Sequence, residues 1–416
     1  MPRPPDVPLA KGPTYVLTGG GPAGRVYPAL AIAEGIRARS PAARFVFIGV
    51  RHGAEVEIVP RYRHLIAPGD LIFVHGRGMP GRALSLATVR FVFALVLGTL
   101  QAVFRLARLR PFFVIGTGGY ASAPTLYAAR FLHYRTLLNE QNAQPGKVTR
   151  ALARKADAVT VAFAATLRHF PRNGILVGYP VREGIRRAAA DDPAPIRAAV
   201  RKELRLRDGQ ALVLVTGGSL GARSINHGLV RAMEQVARDP SLRAALFFVH
   251  GVGRNESAGY HAWDDTMSRL AALGLDPESL ADCYRPVRYL FDIERYYAAA
   301  DVLVCRGGAG SIVEAAAFGK PLLVIPHSAL PGGHQEDNAR ALEREGACRV
   351  LAERRSEQEE IEDVDPAALL REVRDLASLD DARKAEMGKN LRQFYRADCA
   401  QLIVAAMNRA VRARNV

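Results

Sequence analysis

Cysteine is scarce in this chain of 416 residues, and its spacing excludes two kinds of site. Cys283, Cys305, Cys348 and Cys399 stand far apart and form no Cys-x-x-Cys pair. This argues against a disulfide framework and against a zinc site, and it predicts reduced thiols in a cytoplasmic compartment. The N-terminus also lacks an apolar run of the kind found in secretory signals, so we predict no signal peptide.

Acidic residues are missing from a long part of the first half. None occurs between Leu71 and Asn139, and residues 1–182 carry 24 Lys and Arg against seven Asp and Glu, a net charge of +17. The whole chain has a net charge of +16, so the remainder carries −1. A basic half predicts an anionic partner such as a phosphate or a lipid headgroup. No recognition module for nucleic acid accompanies the charge, so no nucleic-acid partner is predicted.

The first glycine-rich loop, from Thr18 to Arg25, lacks the marks of two common nucleotide-binding motifs. It does not have the Gly-x-Gly-x-x-Gly spacing, and no Gly-Lys-Ser/Thr follows it. It does connect an apolar strand pattern to an alanine-rich helical pattern, an order that brings backbone N–H groups to a phosphate or a sugar. A tight turn without a ligand is the alternative interpretation.

Short apolar runs alternate with helical patterns, and the pattern restarts in the second half at 211–215, before Thr216-Gly217-Gly218. Continuous apolar runs between helices predict parallel sheets covered on both faces. The restart predicts an α/β chain of two Rossmann-like, doubly wound domains that face each other across a ligand cleft.

An apolar segment at 91–104 is bracketed by Arg90 and Arg105. Its 14 residues are fewer than the roughly 20 that span a membrane. An apolar helix with basic borders can lie in a membrane interface. A buried core helix has the same appearance, and both interpretations stay open on this segment alone.

The most specific segment begins at Cys305, where Gly307-Gly308-Ala309-Gly310-Ser311 follows a strand pattern and opens a helix. The free N–H groups and the dipole of a helix N-terminus favour a diphosphate. Ser311 can donate to a phosphate oxygen, and Glu314, one turn further on, can accept from ribose hydroxyls. For Glu314 the alternative is an ordinary acid of the first helical turn. In the polar loop that follows, Gln335 and Asn338 suit the hydroxyls of a sugar.

In their order, these motifs resemble the MurG family of peptidoglycan N-acetylglucosaminyltransferases, which act on lipid I. The match covers nearly the whole chain, from Tyr15 to Met407. Besides the two glycine-rich segments, it includes Gly118-Gly119-Tyr120-Ala121-Ser122-Ala123-Pro124, Glu140-Gln141-Asn142-Ala143, Pro180-Val181-Arg182, Gly217-Gly218-Ser219-Leu220-Gly221-Ala222 and His334-Gln335 with Asn338-Ala339.

The resemblance implies a GT-B fold. Residues 1–178 would form the acceptor and membrane-associating domain, 179–382 the UDP-sugar donor domain, and 383–416 a C-terminal helix that packs back toward the first domain. The loop residues Pro22, Ala23 and Gly24 would hold the lipid diphosphate. The residues implied to hold UDP-N-acetylglucosamine are Asn142, Arg182, Ser219, Leu290 (near the uracil), Ala309, Gly310, Ser311, Glu314 and Gln335.

Members of this family dock on the membrane through an apolar patch ringed by basic residues, which favours the interfacial interpretation of the apolar segment. We therefore expect a peripheral protein on the cytoplasmic face of the cell membrane, with an anionic surface as a partner. The residues expected at that surface are Phe91, Leu95, Leu97, Arg82, Arg90 and Arg105.

The chain departs from the family pattern in its first half. The family's loop ends in histidine where this chain has Arg25. The family also has a histidine directly before Glu-Gln-Asn, where this chain has Asn139. Before Pro-Val-Arg the family has asparagine and this chain has Tyr179. After Gly-Gly-Ser the family has glutamine and this chain has Leu220. Arginine stays protonated and cannot act as a base, but Arg25 can bind a diphosphate through two hydrogen bonds. Glu140, in a matched loop, is the hypothesised base.

The expected reaction is an inverting transfer of N-acetylglucosamine from UDP-N-acetylglucosamine to lipid I, which forms lipid II without a metal or cofactor. Two alternatives stay open, the first because the motifs do not fix the acceptor and the second because of Arg25. One is a related glycosyltransferase with another lipid acceptor. The other is a non-catalytic paralogue that binds a UDP-sugar or a lipid.

Overall fold

A computed structural model describes residues 12–21, 23–78, 85–257, 260–328, 333–355 and 362–414. The chain forms two compact units. The first unit combines the residues up to Arg182 with those from Arg396 onward, and the second spans Glu183–Tyr395.

The first unit alternates strands and helices. Its elements before the chain enters the second unit are β1 (Thr14–Thr18), α1 (Ala23–Arg39), β2 (Arg44–Gly49), α2 (Glu55–Ile58), β3 (Leu71–Phe73), α3 (Leu86–Leu109), β4 (Phe113–Gly116), α4 (Ala123–Phe131), β5 (Thr136–Glu140), α5 (Lys147–Leu152), β6 (Ala158–Val161) and β7 (Gly174–Leu176).

The second unit repeats this alternation with two small additional hairpins. Its elements are α6 (Glu183–Ala190), α7 (Pro193–Glu203), β8 (Ala211–Thr216), α8 (Arg223–Arg238), α9 (Pro240–Ala245), β9 (Leu246–Gly251), β10 (Glu256–Ser257), β11 (Tyr260–His261), α10 (Ala262–Ala272), β12 (Tyr284–Val287), α11 (Ile293–Ala299), β13 (Val302–Arg306), α12 (Ala309–Phe318), β14 (Leu322–Ile325), α13 (His334–Arg344), β15 (Arg349–Val350), β16 (Arg354–Arg355), β17 (Glu362–Asp363), α14 (Pro366–Ala377) and α15 (Asp381–Arg392).

Each unit is built on one parallel sheet. The first sheet has seven strands in the order β3-β2-β1-β4-β5-β6-β7, and the second has six in the order β12-β9-β8-β13-β14-β15. Both orders reverse direction beside the first strand of the unit, as in doubly wound folds. The central strands are buried on both faces because their residues are apolar without alternation, as at Val213, Leu214 and Val215. The predicted α/β fold class with two such domains is confirmed.

The end of the chain returns to the first unit through a last helix, α16 (Cys399–Arg414). Cys399, Ile403 and Met407 of this helix belong to the same buried cluster as Leu17 of β1 and Leu30 of α1. The preceding helix, α15, lies within the second unit. The segment 383–416, expected to act as one C-terminal helix, is therefore two helices, and the chain enters the first unit again at Arg396.

Helix α3 is long, apolar and mainly exposed. Ser85 caps its first turn by accepting a hydrogen bond from the Thr88 N–H (3.3 Å), and Arg110 ends it in a left-handed conformation. Its buried face consists of Ala94, Gly98, Ala102 and Leu106, four residues apart. The small residues allow close packing: a side chain at Gly98 would overlap the carbonyl oxygen of His75. Burial of one narrow stripe does not fit a core helix.

Candidate active site

The loops that follow β1 and β4 lie side by side where the first sheet reverses its order. The Thr117 N–H donates to the Thr18 carbonyl (2.9 Å), and the Thr117 hydroxyl donates to the Arg25 carbonyl (2.6 Å). Such a reversal point is where open α/β sheets bind ligands. The first glycine-rich loop, predicted to contact a diphosphate, lies at this edge, although Pro22 and the side chain of Ala23 are outside the described residues.

The Arg25 side chain lies across the backbone of Gly118 and Gly119. An ideal Cβ on Gly118 would be 2.5 Å from Nη1 of Arg25, and one on Gly119 would be 2.8 Å from its Cδ. Both glycines have a positive φ, +83° and +85°, so this backbone conformation and the close approach of the arginine both require glycine. In the described part of the chain, no side chain or carbonyl accepts a hydrogen bond from the Arg25 guanidinium, whose donors are available to an anion.

Two of the residues that differ from the family pattern support the backbone that carries Arg25, Tyr179 directly and Asn139 through Gln141. The Tyr179 hydroxyl donates to the carbonyl of Gly24 (3.1 Å). Asn139 is buried, and its Oδ1 accepts from the Gln141 amide (3.4 Å), which also donates to the carbonyl of Thr117 (3.0 Å). Because Thr117 in turn binds the Arg25 carbonyl, the residues at 139 and 179 both help to hold the segment that presents the arginine.

Glu55 is a buried carboxylate that the sequence analysis missed. It is completely buried, and it accepts hydrogen bonds from the N–H groups of Val50 (2.8 Å) and Gly21 (3.3 Å). These bonds tie the loop after β2 to the glycine-rich loop after β1. The charge also acts on Tyr120, since burial and the nearby Glu55 carboxylate raise the pKa of that phenol. The pattern Gly53-Ala54-Glu55, a short helix start after a strand, was the available signal.

Glu140, the hypothesised base, is directed into its own loop. It is buried, and its Oε1 accepts hydrogen bonds from the N–H of Gln141 (3.1 Å) and from the N–H and side-chain amide of Asn142 (3.1 and 3.3 Å). Its Oε2 accepts from the N–H of Gly146 (2.9 Å). These contacts favour a role in holding the 140–146 loop in place.

In the second unit the corresponding reversal point lies between β8 and β13, and the predicted diphosphate residues are found there. Helix α12 begins at Ala309, and its N-cap, Gly308, has no side chain to bond the first N–H groups. A Cβ on Gly218, in the loop after β8, would be 3.9 Å from the Ser311 hydroxyl. The free N–H groups, Ser311 and the Ser219 loop thus share one edge of the sheet.

Two further predicted donor residues belong to neighbouring loops of that edge. Leu290 is buried and lies close to Gly251: an ideal Cβ on Gly251 would be 3.0 Å from Cδ1 of Leu290. Gln335 lies in the first turn of α13, and its Oε1 accepts a hydrogen bond from the His327 N–H (3.0 Å). Gly310 and Glu314 lie on α12, and of the two predicted donor residues that remain, Asn142 lies in the Glu140 loop. Arg182 stacks over the Tyr27 ring (5.0 Å). Both are in the first unit.

A buried ion pair supports the donor-side loops and was not predicted. Nη1 of Arg306, the last residue of β13, is 2.6 Å from Oε1 of Glu353, and both side chains are almost completely buried. Oε1 also accepts from the Ser224 hydroxyl, and Oε2 accepts from the N–H of Ser328 (3.0 Å). Burial alone would raise the pKa of Glu353, but the hydrogen bond from His327, the charge of Arg306 and the bonds from Ser224 and Ser328 lower it to about 2.

A second buried polar network lies behind the loop after β9. His250 is completely buried, with Nδ1 2.9 Å from the Tyr284 hydroxyl and Nε2 3.0 Å from Oδ1 of Asn226. Asn226 also donates to the carbonyl of Val252 (3.0 Å). Burial lowers the pKa of His250 to about 3, so this histidine is neutral and serves as a structural hydrogen-bonding group.

The residues expected at a membrane surface lie on or beside α3, with differing exposure. Phe91, Leu95 and Leu97 are half-buried, and Arg90 and Arg105 are exposed; Arg82 is outside the described residues. The most exposed apolar side chains are others, and together they form what we call the α3 apolar face: Leu86, Val89, Val92, Phe93, Val96, Leu100 and Phe104. In the ranges that the structure describes, α3 is the one helix long and apolar enough to cross a membrane.

No group of three or more His, Cys, Asp or Glu side chains in the described ranges is arranged to hold a metal ion.

Comparison with known proteins matches both halves of the chain to the same glycosyltransferase family. Residues 15–161 match the glycosyltransferase family 28 N-terminal domain, and residues 212–402 match its C-terminal domain. A protein of Desulforudis audaxviator is 34% identical over 379 residues, 90% of this chain and 94% of its own length. It is named UDP-N-acetylglucosamine--N-acetylmuramyl-(pentapeptide) pyrophosphoryl-undecaprenol N-acetylglucosamine transferase.

Solved structures agree on the fold. MurG of Acinetobacter baumannii superposes with a TM-score of 0.65 at 23% identity, covering 95% of this chain and 99% of that one. Anabaena HepE, solved in complex with UDP, superposes with a TM-score of 0.58 at 13% identity, covering 97% of this chain and 99% of that one. The architecture is therefore that of the two-domain GT-B glycosyltransferases.

Proposed function

The chain belongs to the MurG family of glycosyltransferase family 28, and on that premise we propose that it transfers N-acetylglucosamine from UDP-N-acetylglucosamine to lipid I to form lipid II. Lipid I is the undecaprenyl-diphosphate-linked N-acetylmuramyl-pentapeptide. The enzyme is a hexosyltransferase of peptidoglycan synthesis.

One observation carries the donor side of the proposal. The uncapped start of α12, with the Ser311 hydroxyl close by, lies at the reversal point of the second sheet. Aligned N–H groups at a helix N-terminus stabilise negative charge. When the acceptor hydroxyl displaces UDP from the anomeric carbon, the electron pair of the broken C–O bond passes to the UDP diphosphate, and the hydroxyl proton is released to solvent. The same N–H groups would stabilise that departing diphosphate.

The acceptor side of the proposal rests on Arg25. Its guanidinium lies on Gly118 and Gly119 with donors that no described residue uses, and a guanidinium binds phosphate oxygens through two parallel hydrogen bonds. We therefore assign Arg25 to the diphosphate of lipid I, as a binding residue and not as a base.

The proposal is tested with purified full-length protein, labelled UDP-N-acetylglucosamine and lipid I in detergent. We expect label in lipid II and release of one UDP for each sugar transferred. Binding of UDP-N-acetylglucosamine without transfer would contradict the proposal and indicate a non-catalytic paralogue. Transfer to another lipid-linked sugar, with none to lipid I, would contradict the assignment of the acceptor.

Replacing Glu140 with Gln separates the two roles considered for this residue. The amide would place an NH2 group against backbone N–H donors, so we expect a loss of stability of about 1–3 kcal/mol. If the carboxylate only holds the loop, kcat per folded molecule stays within about threefold, whereas loss of a general base lowers it by about 100-fold or more. Thermal unfolding and kcat measured on the same sample distinguish the two.

We propose further that the protein binds the cytoplasmic face of the membrane as a peripheral protein, through the α3 apolar face. The exposed side chains of this face include Phe93 and Leu100, 68% and 63% exposed. Because Ala94, Gly98 and Ala102 pack against the first unit, the helix would lie along the surface of the membrane. The exposed Arg90 and Arg105 would contact anionic headgroups.

The double substitution of Phe93 and Leu100 by Glu tests this docking. Each apolar side chain contributes about 1.5–3 kcal/mol when it is buried, so we expect affinity for phosphatidylglycerol vesicles to fall by about 100-fold or more. Sedimentation with vesicles measures the change. Phe291→Glu alters an equally exposed aromatic residue (67%) in the second unit and should leave vesicle binding unchanged. Undiminished binding of the double variant would contradict the proposal.

A further inference from the structure

His327 lies just past the end of β14, at the carboxyl edge of the second sheet. Residues Arg306 of β13 and Ile325 of β14 are paired in parallel register, so the segments that leave the two strands start about 4.8 Å apart. The segment that leaves β13 is Gly307-Gly308, the entry to α12. The Asn338 amide donates to the carbonyl of Gly307 (3.0 Å), and the His327 N–H donates to Gln335. His327 is therefore held beside the start of α12.

Glu353 fixes one edge of the imidazole ring. Nδ1 of His327 is 3.3 Å from Oε2 of Glu353, whose side chain is completely buried, while the His327 side chain is 35% exposed. The opposite edge of the ring, with Nε2, therefore faces outward. Nε2 has no hydrogen-bond partner among the residues that the structure describes. Because the carboxylate accepts from Nδ1–H, Nε2 can donate a hydrogen bond to a ligand only when the ring is protonated.

Ionisable side chains also occur on the elements next to this ring. Arg306 on β13 and Glu353 are paired with each other. The neighbouring helices contribute Glu314 on α12 and, in the first turn of α13, His334, Glu336 and Asp337. Carboxylates and guanidinium groups keep their charge between about pH 5.5 and 8.5. Histidine is the side-chain type that changes its charge within that window.

We propose that His327 is a further donor-binding residue, which donates from Nε2–H to the diphosphate of the UDP-sugar when the imidazole is protonated. This rests on the proposed function, which supplies the UDP-sugar as ligand. The imidazolium adds a charged donor to the N–H groups that α12 offers, and hydrogen bonds from a charged donor to phosphate are stronger than neutral ones. Donor affinity then depends on pH through His327, and the His327→Gln variant separates this contribution from that of His334 on α13.

Calorimetry with the full-length protein and UDP-N-acetylglucosamine tests this inference. The sugar nucleotide is used because its diphosphate is esterified at both ends and keeps a constant charge at about pH 5.5 and pH 8.5. We expect the wild-type protein to bind about tenfold more tightly at the lower pH. His327→Gln should bind with the same affinity at both. His64→Gln, a change at an exposed histidine of the first unit, should retain the wild-type pH dependence.

Two results would overturn the inference. One is a wild-type affinity that does not change with pH, and the other is a His327→Gln variant that keeps the pH dependence. A purely structural His327 gives the second result together with a lower melting temperature. The proposed function fails separately: pH-dependent binding without transfer to lipid I contradicts the proposed activity alone, and transfer with pH-independent binding contradicts the role of His327 alone.

Discussion

Replacing Arg25 with Ala should lower kcat/KM for lipid I by about 10- to 100-fold. Hydrogen bonds from a charged donor are worth about 1.5–3 kcal/mol, and the guanidinium of Arg25 has its donors available above Gly118 and Gly119. The effect should fall on the acceptor: KM for lipid I rises, while KM for UDP-N-acetylglucosamine stays the same. Arg25→Lys should recover part of the loss, because an ammonium keeps the charge but not the paired geometry.

A matched control is available on the same helix. Arg39 lies exposed in the last turn of α1, and Arg39→Ala removes the same charge from the same helix without touching the loop. We expect its kinetic constants to equal those of the wild-type enzyme. If Arg25→Ala leaves KM for lipid I unchanged, or if Arg39→Ala raises it as much, Arg25 does not bind the acceptor diphosphate.

Replacing Glu353 with Ala should destabilise the protein by about 3–5 kcal/mol, because it leaves the buried Arg306 guanidinium without its partner. Guanidinium chloride unfolding measures the change. Glu343→Ala is the control: Glu343 also pairs with an arginine, Arg340, at 2.6 Å, but at the surface. The loss there should be within about 1 kcal/mol. Similar losses of unfolding free energy in the two variants would show that the buried ion pair stabilises the protein no more than an exposed one.

The Glu353 carboxylate makes the free energy of unfolding depend on pH in the acidic range. Because the pKa of Glu353 in the folded protein is about 2, below its ordinary value of 4.5, its contribution is complete above about pH 4.5. The contribution is lost as the pH falls from about 4.5 to about 2. Glu353→Gln should therefore lose stability less steeply than the wild-type protein over that interval. Equal slopes would contradict the assigned cause.

The fold could be predicted because its signal is local and repeated. Apolar runs such as 211–215 do not alternate with polar residues, so they predict parallel strands buried on both faces. The segment from Gly307 to Ser311 follows such a strand and opens a helix, and that order predicts a phosphate site whatever the rest of the chain contains.

Buried charges could not be predicted, because their partners are distant in sequence. Glu353 lies 47 residues after Arg306, and Glu55 lies 34 residues after Gly21. The helix start at Gly53-Ala54-Glu55 is a local signal for Glu55, but it does not show that the carboxylate binds the first glycine-rich loop. The spacing of the apolar residues in 91–104 also failed to show which of them are exposed. The small residues Ala94, Gly98 and Ala102 carry that information, because they mark the face that packs closely.

Arg25, Asn139 and Tyr179 were each recognised separately as departures from the family pattern, but they act together. Tyr179 binds the carbonyl of Gly24, and Asn139 acts through Gln141 and Thr117 on Arg25. A change at one of these positions therefore alters the environment of the others, and substitutions there should not be additive.

The return of α16 to the first unit bears on how the chain is made. Ile403 and Met407 complete a buried cluster that begins at Tyr15, and a side chain at Gly35 of α1 would be 2.5 Å from Cβ of Ala400. The first unit to emerge from the ribosome is thus the last to be completed, since its core waits for the synthesis of the entire second unit. Until then its apolar surface stays uncovered, and premature termination after Tyr395 would leave that core open while the second unit has all of its residues.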